Sequence, residues 1–310
     1  MAVGRRNRPM TVTVAGQEHA GQTRRTRSTK LAWQHSLVGI ALLLMAAYML
    51  MPLAWLVFAS TKSNQTLYST PGFWFGPNIQ FLDNVHWLLT YQDGIFVRWA
   101  INSVVYAVVA ATLSTLLSTM AGFVFAKYHF VGKRVIFTVI LGSLMVPSAA
   151  LVIPIFLFVK TLGLINTYAG VIVPLLVSPF GVYFMRTYMS GTVSDELLDA
   201  ARVDGASELL LFRRIVLRIV TPGLITLFLL TFVGVWNNFF LPLVILSDDQ
   251  LFPLTLGLAV WNSTAATPGV GQPLYPLVII GALFSIAPLV VLFLYLRRYI
   301  INGLMLGSLK

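Results

Sequence analysis

The feature that most constrains this chain is the recurrence of apolar runs long enough to cross a bilayer as helices. Six such runs, 37–59, 101–125, 135–159, 168–188, 219–245 and 275–296, occur along the 310 residues, and none contains Asp or Glu. A membrane-spanning helix needs about 20 mainly apolar residues, which each run supplies. The sequence therefore predicts an all-α integral membrane protein with six transmembrane helices. Hydrophobic residues make up 57% and charged residues 10%, against roughly 45–50% and about 25% in soluble domains.

The segments between the runs set the expected organisation. Residues 1–35 form a basic tail, expected to be disordered and cytoplasmic; 36–297 form the six-helix domain; 298–310 form a second cytoplasmic tail. Residues 60–99 and 246–274 are expected outside, the former with a short amphipathic helix near 83–89. The one long polar internal segment is 189–218. Of the 21 Lys and Arg, only Lys62, Arg98 and Lys160 fall on the side opposite the tails, so both termini are predicted cytoplasmic. The net charge of +11 sits in the tail and at the ends of apolar runs, which suits a membrane surface and not nucleic acid. Pro147, Pro154, Pro174 and Pro179 lie within predicted spans, where neighbouring helices can satisfy freed backbone groups. They fit bent helices around a cavity or ordinary packing kinks.

Several chemistries are missing. The chain has no Cys, which removes disulfides and thiolate metal sites. His19, His35, His86 and His129 lack metal-ligand spacing, so no metal site is expected. No G-x-x-x-x-G-K-[ST] run exists, and Gly132-Lys133-Arg134 lacks both the upstream Gly and the hydroxyl. Neither catalysis nor ATP binding is therefore expected of this chain. Proton-coupled carriers use intramembrane carboxylates or His; all ten acids here lie outside the predicted spans. Sodium coupling through backbone carbonyls stays open.

Five of the ten acids crowd into 195–208. Ser194 is placed to cap a helix whose first turn holds Asp195 and Glu196, where acids complement the dipole. Gly205 permits a sharp turn, and 206–217 reads as a second helix with Phe212 on its apolar side. Two readings follow. The pair packs on the protein's own membrane surface, or it presents small and acidic residues to another protein with Phe212 as an anchor.

The run Asp199-Ala200-Ala201-x-x-Asp204-Gly205-Ala206, followed by Phe212, Ile215, Leu217 and Pro222, resembles the EAA loop of ABC importer permeases. Asp199 stands where the family usually has Glu. Arg218 stands where it often has Pro, from which the second helix is expected to run on into the fifth span. Further runs resemble the carbohydrate-uptake, maltose-permease-like branch. They are Lys160 to Gly170, Trp236-Asn237-Asn238-Phe239-Phe240-Leu241-Pro242-Leu243, Phe252 to Leu258, and Arg298 to Leu304. Asn238 stands where an acid is common. The likeness covers nearly everything after residue 36.

The resemblance implies a cytoplasmic coupling helix between the fourth and fifth spans, with Glu196, Asp199, Ala200, Ala201, Asp204, Gly205, Ala206 and Phe212 at the ATPase. It implies a second, homologous permease subunit, two ABC ATPase subunits carrying ATP and Mg, an extracytoplasmic sugar-binding protein and a bacterial or archaeal cell membrane. No cofactor is implied in this chain. Trp236, Asn237 and Asn238 are the candidate substrate-path residues, though Asn also serves as interhelical glue and Trp236 can simply pack. The stretch 248–274 either faces the binding protein or is a solvated loop. The implied function is ATP-driven import of a sugar or oligosaccharide. The alternatives are import of glycerol phosphate or a polyol, and, in another class, a sodium-coupled carrier.

Overall fold

A computed structural model describes residues 18–267 and 273–305, with side chains over 38–267 and 273–297. Every regular element among the described residues is helical. The chain divides into two units, 1–55 and 56–310.

The first unit holds most of α1 (Glu18–Ser60), whose apolar run Val38–Ser60 has a mean hydropathy of 2.3. The side chains from Leu42 to Leu53 are exposed on all sides, as for a helix solvated by lipid. α1 begins at Glu18, within the stretch expected as a tail. A helix nucleated in the apolar run gains one hydrogen bond per added residue, and no Pro interrupts the Gln, Arg, Thr, Lys and Ala leading into it. Residues 1–17 of the expected tail lie outside the described residues.

The second unit opens with α2 (Asn64–Ser69) and α3 (Phe81–Thr90). α3 is the short amphipathic helix expected near 83–89, and it buries Asn84 and Leu88. The Asn84 amide donates to the carbonyls of Ser60 and Lys62 at 2.9 and 3.0 Å. α4 (Ile95–Lys127) starts two turns earlier than the predicted second span. Ile95, Phe96 and Trp99, expected in an external segment, are buried. Arg98 interrupts the apolar run in sequence, but on a helix it points away from those three and stays exposed.

The buried face of α4 is built of small residues, among them Ala107, Ala111, Ser114, Ser118 and Gly122, which let other helices approach closely. A Cβ at Gly122 would lie 2.7 Å from the Met185 Cβ, and one at Gly181 2.4 Å from the Ser118 Oγ. Those contacts bind α4 to α8 (Pro179–Thr192).

Three helix pairs are bent. The first is α5 (Lys133–Ser143) followed by a 3-10 turn and α6 (Val152–Thr161), at 101°. α7 (Tyr168–Leu175) and α8 meet at 41°. Pro147 and Pro179 stand at the two restarts, where a missing N–H costs least. Between these pairs and the third comes α9 (Asp195–Val203). α10 (Glu208–Leu211), a π-helical turn and α11 (Leu217–Ile219) then meet α12 (Thr221–Trp236) at 79°. This corrects the expected continuity through Arg218. Pro222 has no N–H for the Arg218 carbonyl, and the Thr221 hydroxyl instead donates to the Leu217 carbonyl at 2.8 Å. Among the described residues, three helices are long and apolar enough to cross a membrane, or up to six if each bent pair counts as one.

α13 (Phe240–Ile245), α14 (Leu254–Ala266) and α15 (Tyr275–Met305) complete the described chain. Much of the expected external stretch after 246 is packed and not a free loop. Leu254, Leu256, Gly257 and Trp261 of α14 are buried, and its lead-in is strapped to α4. The Trp99 indole donates to the Asp249 carbonyl at 2.8 Å, Asn102 to Gln250 and Phe252, and Tyr106 to Leu251. α15 continues as helix to Met305, past the predicted span end at 296; 306–310 of the expected tail lie outside the described residues.

Candidate functional site

The loop between α8 and α12 folds as the local sequence directs. Ser194 accepts from the Leu197 N–H and caps α9, with Asp195 and Glu196 in its first turn. α9 ends at a left-handed Gly205, φ 83°. The Gly205 and Ala206 N–H groups donate to the carbonyls of Arg202 and Ala201, both at 3.0 Å. That crossed pair is a Schellman stop, which a residue without a Cβ favours. Ser207 then caps α10. Phe212–Val216 form a π-helical turn, a wide turn often found where function needs a displaced side chain.

The two faces of the loop differ. Inward, Leu198, Ala201, Leu211 and Val216 join Phe123 of α4, Met185 and Met189 of α8 and Leu227 of α12 in one buried cluster. Outward stand Glu196, Asp199, Ala200, Asp204 and Gly205. Three of the residues expected at a partner pack toward the membrane helices. Ala201 is buried, Ala206 is half-buried against the same cluster, and Phe212 packs on Phe123 with ring centroids 5.4 Å apart. The cause is helical phase: Leu198 and Ala201, three residues apart, share the face that meets the membrane helices.

Polar contacts complete the attachment. Lys127, its side chain 6% exposed, donates to the Val193 carbonyl at 2.6 Å and pairs with Asp195 at 2.7 Å. Arg202 bridges Asp199 and Glu208, each at 2.8 Å. The Tyr128 hydroxyl donates to Glu208. The hydrogen bond from Lys127 holds the Asp195 carboxyl below its usual range. Arg202, and after it Tyr128, does the same for Glu208. Burial raises the Tyr128 hydroxyl, and Glu208 adds to that. The contribution of the two carboxylates is complete above their ordinary values, 3.8 for Asp and 4.5 for Glu. It is lost as pH falls through the lower folded values. Amide exchange over 195–208, corrected for intrinsic rate, is therefore expected to accelerate at about pH 3 relative to about pH 6, while the buried middle of α4 stays protected.

Sequence reasoning missed Lys127, Tyr128 and Arg202 as the loop's tethers, and Val203 as its most prominent apolar residue. Val203 is 88% exposed and Leu209 63%. An apolar residue on the polar side of an amphipathic helix was the available signal.

The candidate path residues separate. Trp236 is buried and stacks on Phe232, ring centroids 5.8 Å apart. The Asn238 side chain accepts from the Leu241 N–H, and its carbonyl accepts from Thr255. Both border a void of about 10 Å³, room for about one water. They hold the corner between α12, α13 and α14. Asn237 alone is exposed, its amide donating to the Val233 carbonyl at 2.9 Å. One turn away, a groove of about 410 Å³ runs between α7, α8 and α12, with Ser114, Ser178 and Thr231 among its lining. The Ser114 hydroxyl is buried there without a partner.

The profile of the family described as binding-protein-dependent transport system inner membrane component matches residues 114–304, which include the whole loop and the groove. The chain belongs to that family. It is a multi-pass inner-membrane permease of the ABC importer class, not an enzyme, and such a permease works with other ABC components. The permease is 36% identical to the arabinooligosaccharides transport system permease protein AraQ of Halalkalibacterium halodurans, over 93% of this chain and 99% of that one. It is 32% identical to the lactose transport system permease protein LacG of Rhizobium radiobacter, over 88% and 96%. It is 29% identical to the sn-glycerol-3-phosphate transport system permease protein UgpE of Escherichia coli, over 85% and 93%. Its fold matches a chain of a bacterial ABC transporter that imports alginate, with a TM-score of 0.73, 22% identity and coverage of 89% and 98%. Membership in this family sets aside the sodium-coupled carrier.

Proposed function

We propose that this permease forms half of the membrane path of an ATP-driven importer of a sugar or oligosaccharide, and that α9 with the Gly205 turn is its coupling helix. The observation that carries the reading is the two-faced loop. Its outward face offers Val203 and Leu209 beside Glu196, Asp199, Ala200, Asp204 and Gly205 to an ATPase. Its inward face is locked to α4, α8 and α12, so a push on α9 moves those helices together. Closure of an ATPase dimer carrying ATP and Mg would supply that push. A second permease subunit would complete the path, and an external binding protein would deliver the substrate. Each bent pair crossing once gives six spans, with both termini and the loop on the cytoplasmic side by the basic-charge bias. Asn237 and the Ser114–Thr231 groove are this chain's polar share of the path.

Sugar as substrate is supported by the AraQ and LacG relatives. UgpE favours a second reading, glycerol phosphate. Uptake into proteoliposomes of the complete transporter separates them. Labelled oligosaccharide is expected to accumulate only with internal ATP, competed by unlabelled oligosaccharide and not by glycerol phosphate. Competition by glycerol phosphate alone would establish the second reading.

A further inference from the structure

Beside the loop, but outside it, the start of α5 and the middle of α8 border an open cavity of about 510 Å³, a size that holds a small ligand. Its polar lining is basic: His129, Lys133, Arg134 and Arg186, with Phe137 and Thr138 and no carboxylate. The Arg186 guanidinium lies over the Phe137 ring, 3.9 Å from its centroid, and its Nε is buried without a partner. Lys133 donates one proton to the Tyr128 carbonyl at 2.8 Å and keeps two for a ligand. Arg134 is exposed at the rim. Asp195, three residues beyond the end of α8, is already paired with Lys127.

A partly buried guanidinium with no acid beside it is costly unless an anion completes it. Arg186 lies six residues before Thr192, the end of α8, about 9 Å along the helix. On the proposed topology that end of α8 faces the cytoplasm, which sets Arg186 toward the headgroup level. The apolar lining continues outward along α5, where Val135, Ile136 and Val139 are exposed. Cations at one end and an open apolar face at the other match a phospholipid better than a free ion.

We infer that this cavity binds a phosphate group through Arg186, Lys133 and Arg134, and that the phosphate belongs to the headgroup of an anionic phospholipid whose acyl chain lies along α5. The inference is independent of the transported substrate.

Spin-labelled phosphatidylglycerol and phosphatidylcholine, with the full chain in phosphatidylcholine nanodiscs, provide the test. The motionally restricted fraction is expected to be severalfold larger for phosphatidylglycerol. It should fall to the phosphatidylcholine level in the Arg186→Gln, Arg134→Gln double variant and recover in part with Arg186→Lys. Arg214→Gln, which removes an exposed cation outside the cavity, should leave it unchanged. Should the double variant fail to fold by thermal unfolding, Arg134→Gln alone, at the exposed rim, carries the test. Arg186-dependent binding of inorganic phosphate with no preference between the two lipid probes would keep the phosphate site and overturn its lipid source. Equal restriction of both probes with no phosphate binding, or a preference that survives substitution, overturns the site.

Discussion

Gly205→Arg is expected to abolish the stimulation of ATP hydrolysis by substrate-loaded binding protein while leaving the permease inserted and folded. Gly205 holds φ 83°, and a Cβ built there meets nothing within 4 Å. The fold therefore loses only the left-handed penalty of a non-Gly residue, about 1–2 kcal/mol. The added side chain projects from the exposed turn beside Val203 and Asp204, into the space that the proposed ATPase contact would fill. Asn tolerates left-handed φ better than other non-Gly residues, so Gly205→Asn should keep much of the stimulation. ATP hydrolysis by the reconstituted transporter reads both variants, and normal stimulation in Gly205→Arg would remove the docking assignment.

Gly122→Leu is expected to destabilise the permease by about 3 kcal/mol or more, the upper range for overpacked cores. The Cβ alone would sit 2.7 Å from the Met185 Cβ and 2.9 Å from the Arg186 backbone nitrogen. Backbone cannot yield as a flexible side-chain tip can, so α4 and α8 must separate. Gly142→Leu is the matched control, because nothing lies within 4 Å of its Cβ; it should change stability by no more than about 0.5 kcal/mol. Thermal unfolding in detergent compares them. A Gly122→Leu variant as stable as the control would mean that α4 and α8 do not pack this closely.

The helical class and the presence of six apolar runs are legible because bilayer thickness fixes run length and because acids avoid those runs. The ends and bends are less so. Arg98 hid the first two turns of α4 by breaking a linear window of hydropathy, although on a helix its charge and the buried Trp99 point different ways. The bend at Val220 was hidden by reasoning from Arg218, whereas the missing N–H of Pro222 decides it. In the loop, the Ser194 cap and the Gly205 stop follow from local chemistry and stand where the sequence places them. Which of Ala200, Ala201 and Val203 faces outward depends on helical phase against α4 and α8, a tertiary fact that no motif spells out. Residue type alone does not separate a path role from packing at Trp236 and Asn238; the former stacks on Phe232 and the latter accepts from the Leu241 N–H at the start of α13.

The proposed coupling role requires that the face of α9 carrying Val203 be covered by an ATPase. The chain has no Cys and Val203 is 88% exposed, so Val203→Cys introduces a single accessible thiol. Maleimide labelling of that thiol is predicted to be fast in the permease alone and strongly suppressed once the ATPase subunits are bound. Labelling at the same rate in the permease and in the assembled transporter would rule out α9 as the coupling helix.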